Sequence, residues 1–346
     1  MAECICRGFE ECGFQSALVE ISNPSLPRSD FSPKISIDRI KPEEVKSIVS
    51  DGAPFITFDD VRILKLLHKL GSQQLNGLAW IHYFIGHRAV FKQYRDWQHH
   101  SHFQENLKTK VLELLPPALT NISVRYYTEG LRHLNLVAGS IWTCLLINRV
   151  YNLNCPNVVY APIDPEEFRA DIHATRSNQA TIFFGSLIDT NLEYLHSAIT
   201  ILRRHFHDIE LNAFGNKHTS KTFTDAYGEN VSFHTDMERS ALLDLINRST
   251  VTIAPIYNGN FELVPIESLL VGTPVITFPQ PFLEVTHNSD MISSIYSENE
   301  MSKKAAKWAS ANLDDERSDV RQRILNVMNF QRVVKELRDA FTSLGL

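Results

Sequence analysis

From residue 180 onward the chain alternates between two hydrophobic patterns. Short apolar runs, Ala180–Phe184, Val251–Pro255, Pro274–Phe278 and Met291–Ile295, read as buried strands, and the alternating Ile209–Phe214 and the short Val231–Phe233 read as two more. Between them apolar residues recur at helical spacing. Leu192, Leu195, Ile199, Leu202 and Phe206 share one face, and Leu242, Leu243, Leu245 and Ile246 mark another. Strands separated by helices of this length imply right-handed crossovers and a mostly parallel, doubly wound α/β sheet.

The first half has the same character in looser form. Ser16–Ile21, Pro54–Phe58, Leu78–Phe84 and Ile122–Tyr126 are expected strands, and Val61–Leu70 and Leu107–Leu115 expected helices. The Pro- and Ser-rich stretch 22–42 reads as a long loop. Ser140 is placed to N-cap a helix carrying Trp142, Leu145, Leu146 and Val150. Ala2–Cys12 reads as a helix ahead of the first strand, so the opening strand and Gly-rich turn of a doubly wound domain are expected to be missing. Pro and charge near 160–178 mark a junction between two α/β domains, 1–160 and 161–315. Asp314–Leu344 reads as a long terminal helix, and 316–346 is expected to form a segment of its own.

Composition narrows the function without choosing it. With 346 residues and 43% hydrophobic content the chain can fill two cores. A net charge of −6 offers no basic face for nucleic acid. No apolar run reaches the ~18 residues of a membrane span, and the acidic start (Glu3, Glu10, Glu11) is not a signal peptide. Five cysteines without a Cys-x-x-Cys pair read as free thiols in a reducing, cytoplasmic setting, peripheral membrane association staying open.

The chemistry concentrates in residues 257–276, Tyr-Asn-Gly-Asn-Phe-Glu-Leu-Val-Pro-Ile-Glu-Ser-Leu-Leu-Val-Gly-Thr-Pro-Val-Ile. A strand runs into a polar loop and then into a helix opened by Pro265 and closed near Gly272. Amides at such a helix start form an anion site. Glu267, in the expected first turn, can hold a sugar diol or cap the helix. This segment resembles the nucleotide-sugar signature of retaining GT-B glycosyltransferases, roughly Glu-Gly-Phe-Gly-Leu-Pro-x-x-Glu-Ala-x-x-x-Gly-x-Pro-Val. Two more segments resemble that superfamily in the right order, Tyr160–Phe168 and Thr181–Ser186.

The resemblance implies two Rossmann-like domains facing across a cleft, the GT-B fold. It also implies a last helix crossing back to the first domain, and sugar transfer from a nucleotide-sugar donor to a hydroxyl acceptor, be it glycan, lipid-linked or small molecule. No metal and no cofactor beyond the donor is implied, because such folds stabilise the leaving diphosphate with helix amides and cations. Carried onto this chain, Glu267 binds the ribose, while Phe261, Glu262, Leu263, Gly185, Ser186 and Asn260 approach the phosphates or sugar. His82 resembles the superfamily's interdomain histidine, with His87 following on the loop.

The chain departs from the pattern in three places. Positions 186–191 hold no Arg or Lys where the superfamily grips the pyrophosphate, so Lys217 or Arg88 is the expected substitute. Gly259 stands where the first signature carboxylate falls, leaving Glu262 as the carboxylate for the donor sugar. His234 occupies a strand end where the superfamily often has Gly near the nucleobase. An inactive GT-B-fold binding protein, and a nucleotide-sugar epimerase or hydrolase, are the alternative readings. His99, His100 and His102 cluster in sequence, but their spacing completes no metal set.

Overall fold

The computed structural model describes residues 18–21, 37–40, 55–58, 77–81, 128–168, 176–184, 192–215, 223–225, 227, 231–235, 237–256 and 262–342. They divide into two compact units, one within 1–162 and 330–346 and the other within 163–329. Among the described residues no helix is long and apolar enough to cross a membrane.

In the first unit β1 (Leu18–Ile21) and β2 (Ile37–Ile40) pair in parallel. A separate parallel sheet runs β3 (Phe55–Phe58), β4 (Gly77–Ile81), β5 (Asn135–Ala138) and β6 (Asn157–Val158) in chain order. Strand β4 is buried throughout, with Ala79 and Ile81 packed in one cluster and Leu78 and Trp80 in another. That is the period-two alternation of a strand covered on both faces. Gly77 is required by packing, since a Cβ there would lie 2.3 Å from the Phe55 ring. Helix α1 (Ile141–Val150) follows β5 and starts as expected, with Ser140 Oγ accepting from the Thr143 amide at 3.0 Å.

The second unit holds six parallel strands: β7 (Ser177–Phe184), β8 (Glu210–Gly215), β9 (Val231–Thr235), β10 (Ser249–Ala254), β11 (Val275–Thr277) and β12 (Ile292–Ser294). Their spatial order is β12-β11-β10-β7-β8-β9, the doubly wound arrangement in which crossovers reverse direction between β7 and β10. The helices of this unit are α2 (Leu192–His205), α3 (Arg239–Arg248), α4 (Leu263–Leu270), the single turn α5 (Leu283–Thr286), α6 (Glu298–Ser310) and α7 (Asp314–Met328). Helix α2 buries Leu195, Ala198, Ile199 and Leu202 at helical spacing and ends in Arg203, Arg204 and His205, which favour its dipole. It packs on α6, to which Ser197 Oγ donates at Glu298 Oε1 (2.6 Å).

Three expectations are corrected. The stretch read as loop, 22–42, contains β2. The terminal helix is two, α7 and α8 (Phe330–Thr342), broken at Asn329. Ile163 N donates to Met328 O at 2.8 Å, taking the carbonyl that a continuing helix would use, and Asn329 bridges Ile163 in extended conformation. Helix α8 belongs to the first unit, where Val333, Leu337 and Ala340 pack with Leu78, Trp80, Val137 and Val159. The helix of the 257–276 segment begins at Leu263, two residues before Pro265. Pro is tolerated there because amides of the first turn have no intrahelical acceptor. Strand β5 and helix α6 were not anticipated. The expected elements Ala2–Cys12, Val61–Leu70, Leu107–Leu115 and Ile122–Tyr126 lie outside the described residues.

Candidate functional site

The edge of interest is the carboxyl end of the second sheet at its switch point. β7 and β10 are neighbours there, with Thr252 opposite Thr181 and Ile253 opposite Ile182. β7 ends at Phe184 and β10 at Ala254 on that edge, so the segments of two separate sequence motifs follow from adjacent strands. Open α/β sheets bind ligands outside the carboxyl ends of the strands at such a point.

Helix α4 enters from the β10 loop and is held differently at its two ends. Its C-terminus is fixed by protein. Gly272, with φ 77°, ends the helix, its amide donating to Leu269 O (3.0 Å) and the Thr273 amide to Ser268 O (2.8 Å). These two bonds are the paired closure that a left-handed residue allows. Three arginines then donate to successive carbonyls, Arg321 to Leu270, Arg176 to Val271 at 2.8 Å and Arg317 to Gly272 at 3.1 Å. Cations there also complement the helix dipole. Ser268 Oγ, fully buried, lies 2.7 Å from Thr252 Oγ1 and 3.1 Å from Thr273 O, tying the helix to β10. At the other end Glu262 is the N-cap, extended in backbone and making no side-chain cap bond.

Glu267 is the fifth residue of α4, in its second turn rather than its first, and is only 6% exposed. Its Oε1 meets Arg239 Nη1 at 2.9 Å. Arg239 opens α3, and its Nε donates to Glu167 Oε2 at 3.1 Å while its guanidinium lies 5.7 Å from the Phe168 ring centroid. One half-exposed cation thus joins two carboxylates and an aromatic face drawn from three parts of the unit. Burial acts to lower the Arg239 pKa, but Glu267 and Glu167 together outweigh it and hold the guanidinium above its ordinary range.

The other sequence-derived candidates divide clearly. Glu262 is half-buried at the N-cap, and Leu263, the first helical residue, is 39% exposed. Gly185, Ser186, Lys217, Asn260, Phe261 and His82, with Arg88, His87, His99, His100 and His102, lie outside the described residues. His234, in β9, has Nε2 3.1 Å from Asn212 Oδ1 on β8. Sequence reading missed Arg239. A signal for it existed: a cation at a helix start opposes the dipole and calls for a local carboxylate partner. Gln280 was also missed. It is buried just beyond β11 and donates to Ile256 O where the chain leaves β10. Among the described residues no three metal-ligating side chains come together.

A cavity of about 460 Å³ opens in the first unit, around the entries of β5 and β6, between Leu78, Arg132, Asn135, Asn154, Asn157 and Ala340. It lies at the amino ends of its strands, the edge that α/β folds do not use for catalysis.

Comparison with known proteins agrees with this frame. Residues 178–310 match the sequence model of the family described as Glycosyl transferases group 1. No curated protein matches the chain by sequence. Among solved structures, sucrose-phosphate synthase from Thermosynechococcus elongatus superposes with a TM-score of 0.58 at 13% identity, over 98% of this chain and 91% of that one. A variant of S. aureus TarM, in complex with fondaparinux, alpha-GlcNAc-glycerol and UDP, gives 0.59 at 11%, over 87% of this chain and 58% of that one. The alpha,alpha-trehalose-phosphate synthase (UDP-forming) from Burkholderia xenovorans, in complex with glucose-6-phosphate, gives 0.51 at 12%, over 82% and 77%. At these identities the likeness is one of fold. Two of the three motifs, Thr181–Ser186 and 257–276, fall within the family match, and this chain is a GT-B-fold protein whose residues 178–310 match the group 1 glycosyltransferases.

Proposed function

We propose that the chain transfers a sugar from a nucleotide-sugar donor to a hydroxyl acceptor, without a metal ion. The observation that carries the reading is the convergence at the switch point. β7 and β10 end side by side at one edge of the sheet, and α4 starts at that same edge with an N-cap residue, Glu262, that makes no side-chain cap bond. Amides at the start of α4 are suited to the diphosphate or sugar, and the buried Glu267 carboxylate to the ribose diol. Phe261, Leu263, Gly185, Ser186 and Asn260 would complete the donor contacts, Lys217 would supply charge, and His82 and Glu262 would act at the transferred sugar. Uridine is the first base to try, because UDP is bound in the TarM complex and the trehalose-phosphate synthase is UDP-forming.

The test is thermal unfolding with UDP, GDP, ADP, CDP and dTDP, on the wild type and on Glu267→Ala. A nucleotide at 100 times its dissociation constant stabilises the fold by about 2.7 kcal/mol. Stabilisation by one nucleotide, absent in the variant, supports the donor site and selects sugars for turnover assays. No stabilisation by any of the five would end the transferase reading. Binding without turnover of any matching sugar nucleotide would turn it into a binding protein.

A further inference from the structure

We infer that Arg239 is a positioning residue for the donor site, holding the Glu267 carboxylate aimed for the ribose; this rests on the donor reading above. Glu267 is 6% exposed, and an unpaired carboxylate at that depth is strongly disfavoured. Among the described residues Arg239 meets the requirement, with Nη1 on Oε1 at 2.9 Å. A carboxylate offers about four lone-pair sites, so the Arg239 bond on Oε1 leaves acceptor capacity for a diol. Arg239 is itself fixed from behind. Glu167 Oε2 takes its Nε at 3.1 Å and Phe168, 2% exposed, lies under the guanidinium. The half-exposed cation therefore does not need Glu267 in order to be satisfied, whereas the buried carboxylate needs a cation.

The placement of Arg239 supports a role beyond joining helices. It is the first residue of α3, where the positive end of the dipole makes a cation unfavourable. A residue selected for helix stability alone would be an acid or a neutral cap at that place. The carboxyl end of β9 leads into this helix, so Arg239 stands on the same edge of the sheet as the switch point. Glu167 is the anchor of the arrangement and Glu267 its working end.

The experiment is calorimetric titration with UDP, GDP and ADP, each beside its 2′-deoxy form, on the wild type, Arg239→Met, Arg239→Lys and Glu167→Gln. The quantity read is the preference for ribose over deoxyribose in the nucleotide that binds. The wild type is expected to prefer ribose by about tenfold or more, the loss of one charge-assisted bond. Arg239→Met should reduce that preference to about twofold or less. Arg239→Lys should restore most of it, and Glu167→Gln should fall between. A melting temperature lowered in Arg239→Met with the ribose preference intact would overturn the inference and leave an ordinary ion pair. Should Arg239→Met fail to fold, wild-type preference in both Arg239→Lys and Glu167→Gln would overturn it equally. Failure of all three to bind the wild type, with CDP and dTDP also giving no thermal stabilisation, would instead remove the donor reading, and the inference with it.

Discussion

The two ends of α4 are built on opposite principles. At the C-terminus every device closes the helix with protein: a left-handed Gly272, a buried Ser268, and arginines on three successive carbonyls. At the N-terminus the N-cap residue Glu262 makes no side-chain cap bond, and the nearby buried carboxylate is held by a cation from another helix. The first end provides rigidity, and the second is suited to a charged ligand. The lesson is that a short, mostly buried helix can present one terminus only when the other is fixed independently.

That contrast can be broken by a pair of substitutions with opposite signatures. Arg176 donates to Asn247 O, Thr273 Oγ1 and Val271 O. Arg176→Met should therefore cost about 3 kcal/mol of stability, near the upper end for a charged donor whose acceptors stay buried. Nucleotide affinity per folded molecule should be unchanged, and denaturant unfolding beside titration separates the two. Equal loss of affinity would show that the ends are not independent.

Glu267→Gln should do the reverse. Loss of its charge-assisted bonds is expected to weaken nucleotide binding by about 1.5–3 kcal/mol, on the order of 10- to 100-fold. Unfolding should move less than in Arg176→Met, because Arg239 retains Glu167. Calorimetry at fixed salt reads the first effect and urea midpoints the second.

Gly272→Ala sharpens the C-terminal half of the comparison. A Cβ at φ 77° costs about 1–2 kcal/mol, and the loss should appear as a lower midpoint with an unchanged denaturant slope. A change in slope would mean that more than local strain had been altered.

The smallest effect lies away from α4. Asp290 takes Lys307 Nζ at 2.6 Å and Lys304 Nζ at 2.9 Å, and these lysines lower its pKa to about 2. A carboxylate with a depressed folded pKa stabilises the fold above its unfolded value near 3.9, and the gain is lost as pH falls toward about 2. Because the side chain is 48% exposed, solvent screening limits the gain to about 1 kcal/mol at most. Asp290→Asn should flatten that part of the stability profile between pH 4 and 2, and added salt should do much the same in the wild type.

The sequence revealed most where one element has one strong pattern. The apolar runs from Ala180 to Ile295 gave the second sheet, and the face of Leu195, Ile199 and Leu202 gave α2. Strand β5 escaped because only four residues, Asn135–Ala138, carry it. Helix α6 escaped because its buried face rests on Met301, Ala305 and Trp308, diluted by lysines and serines. Among the candidate site residues, Glu267 was singled out by the spacing of Pro265, Glu267, Gly272 and Pro274, since these residues set a local strand–helix–strand geometry.

By itself the sequence determined the α/β class, the group 1 resemblance and the 257–276 motif, all of which depend on neighbours within about one helical turn or one strand of each other. Only the tertiary structure decided that Met328 would give its carbonyl to Ile163 and break the terminal helix at Asn329, with no Gly or Pro to announce it. It likewise decided that Arg239, 28 residues before Glu267 and 72 after Glu167, would join them. Those partners meet only after parallel crossovers return the chain to the same edge of the sheet, and a contact made by crossover leaves no periodic trace in the residues between.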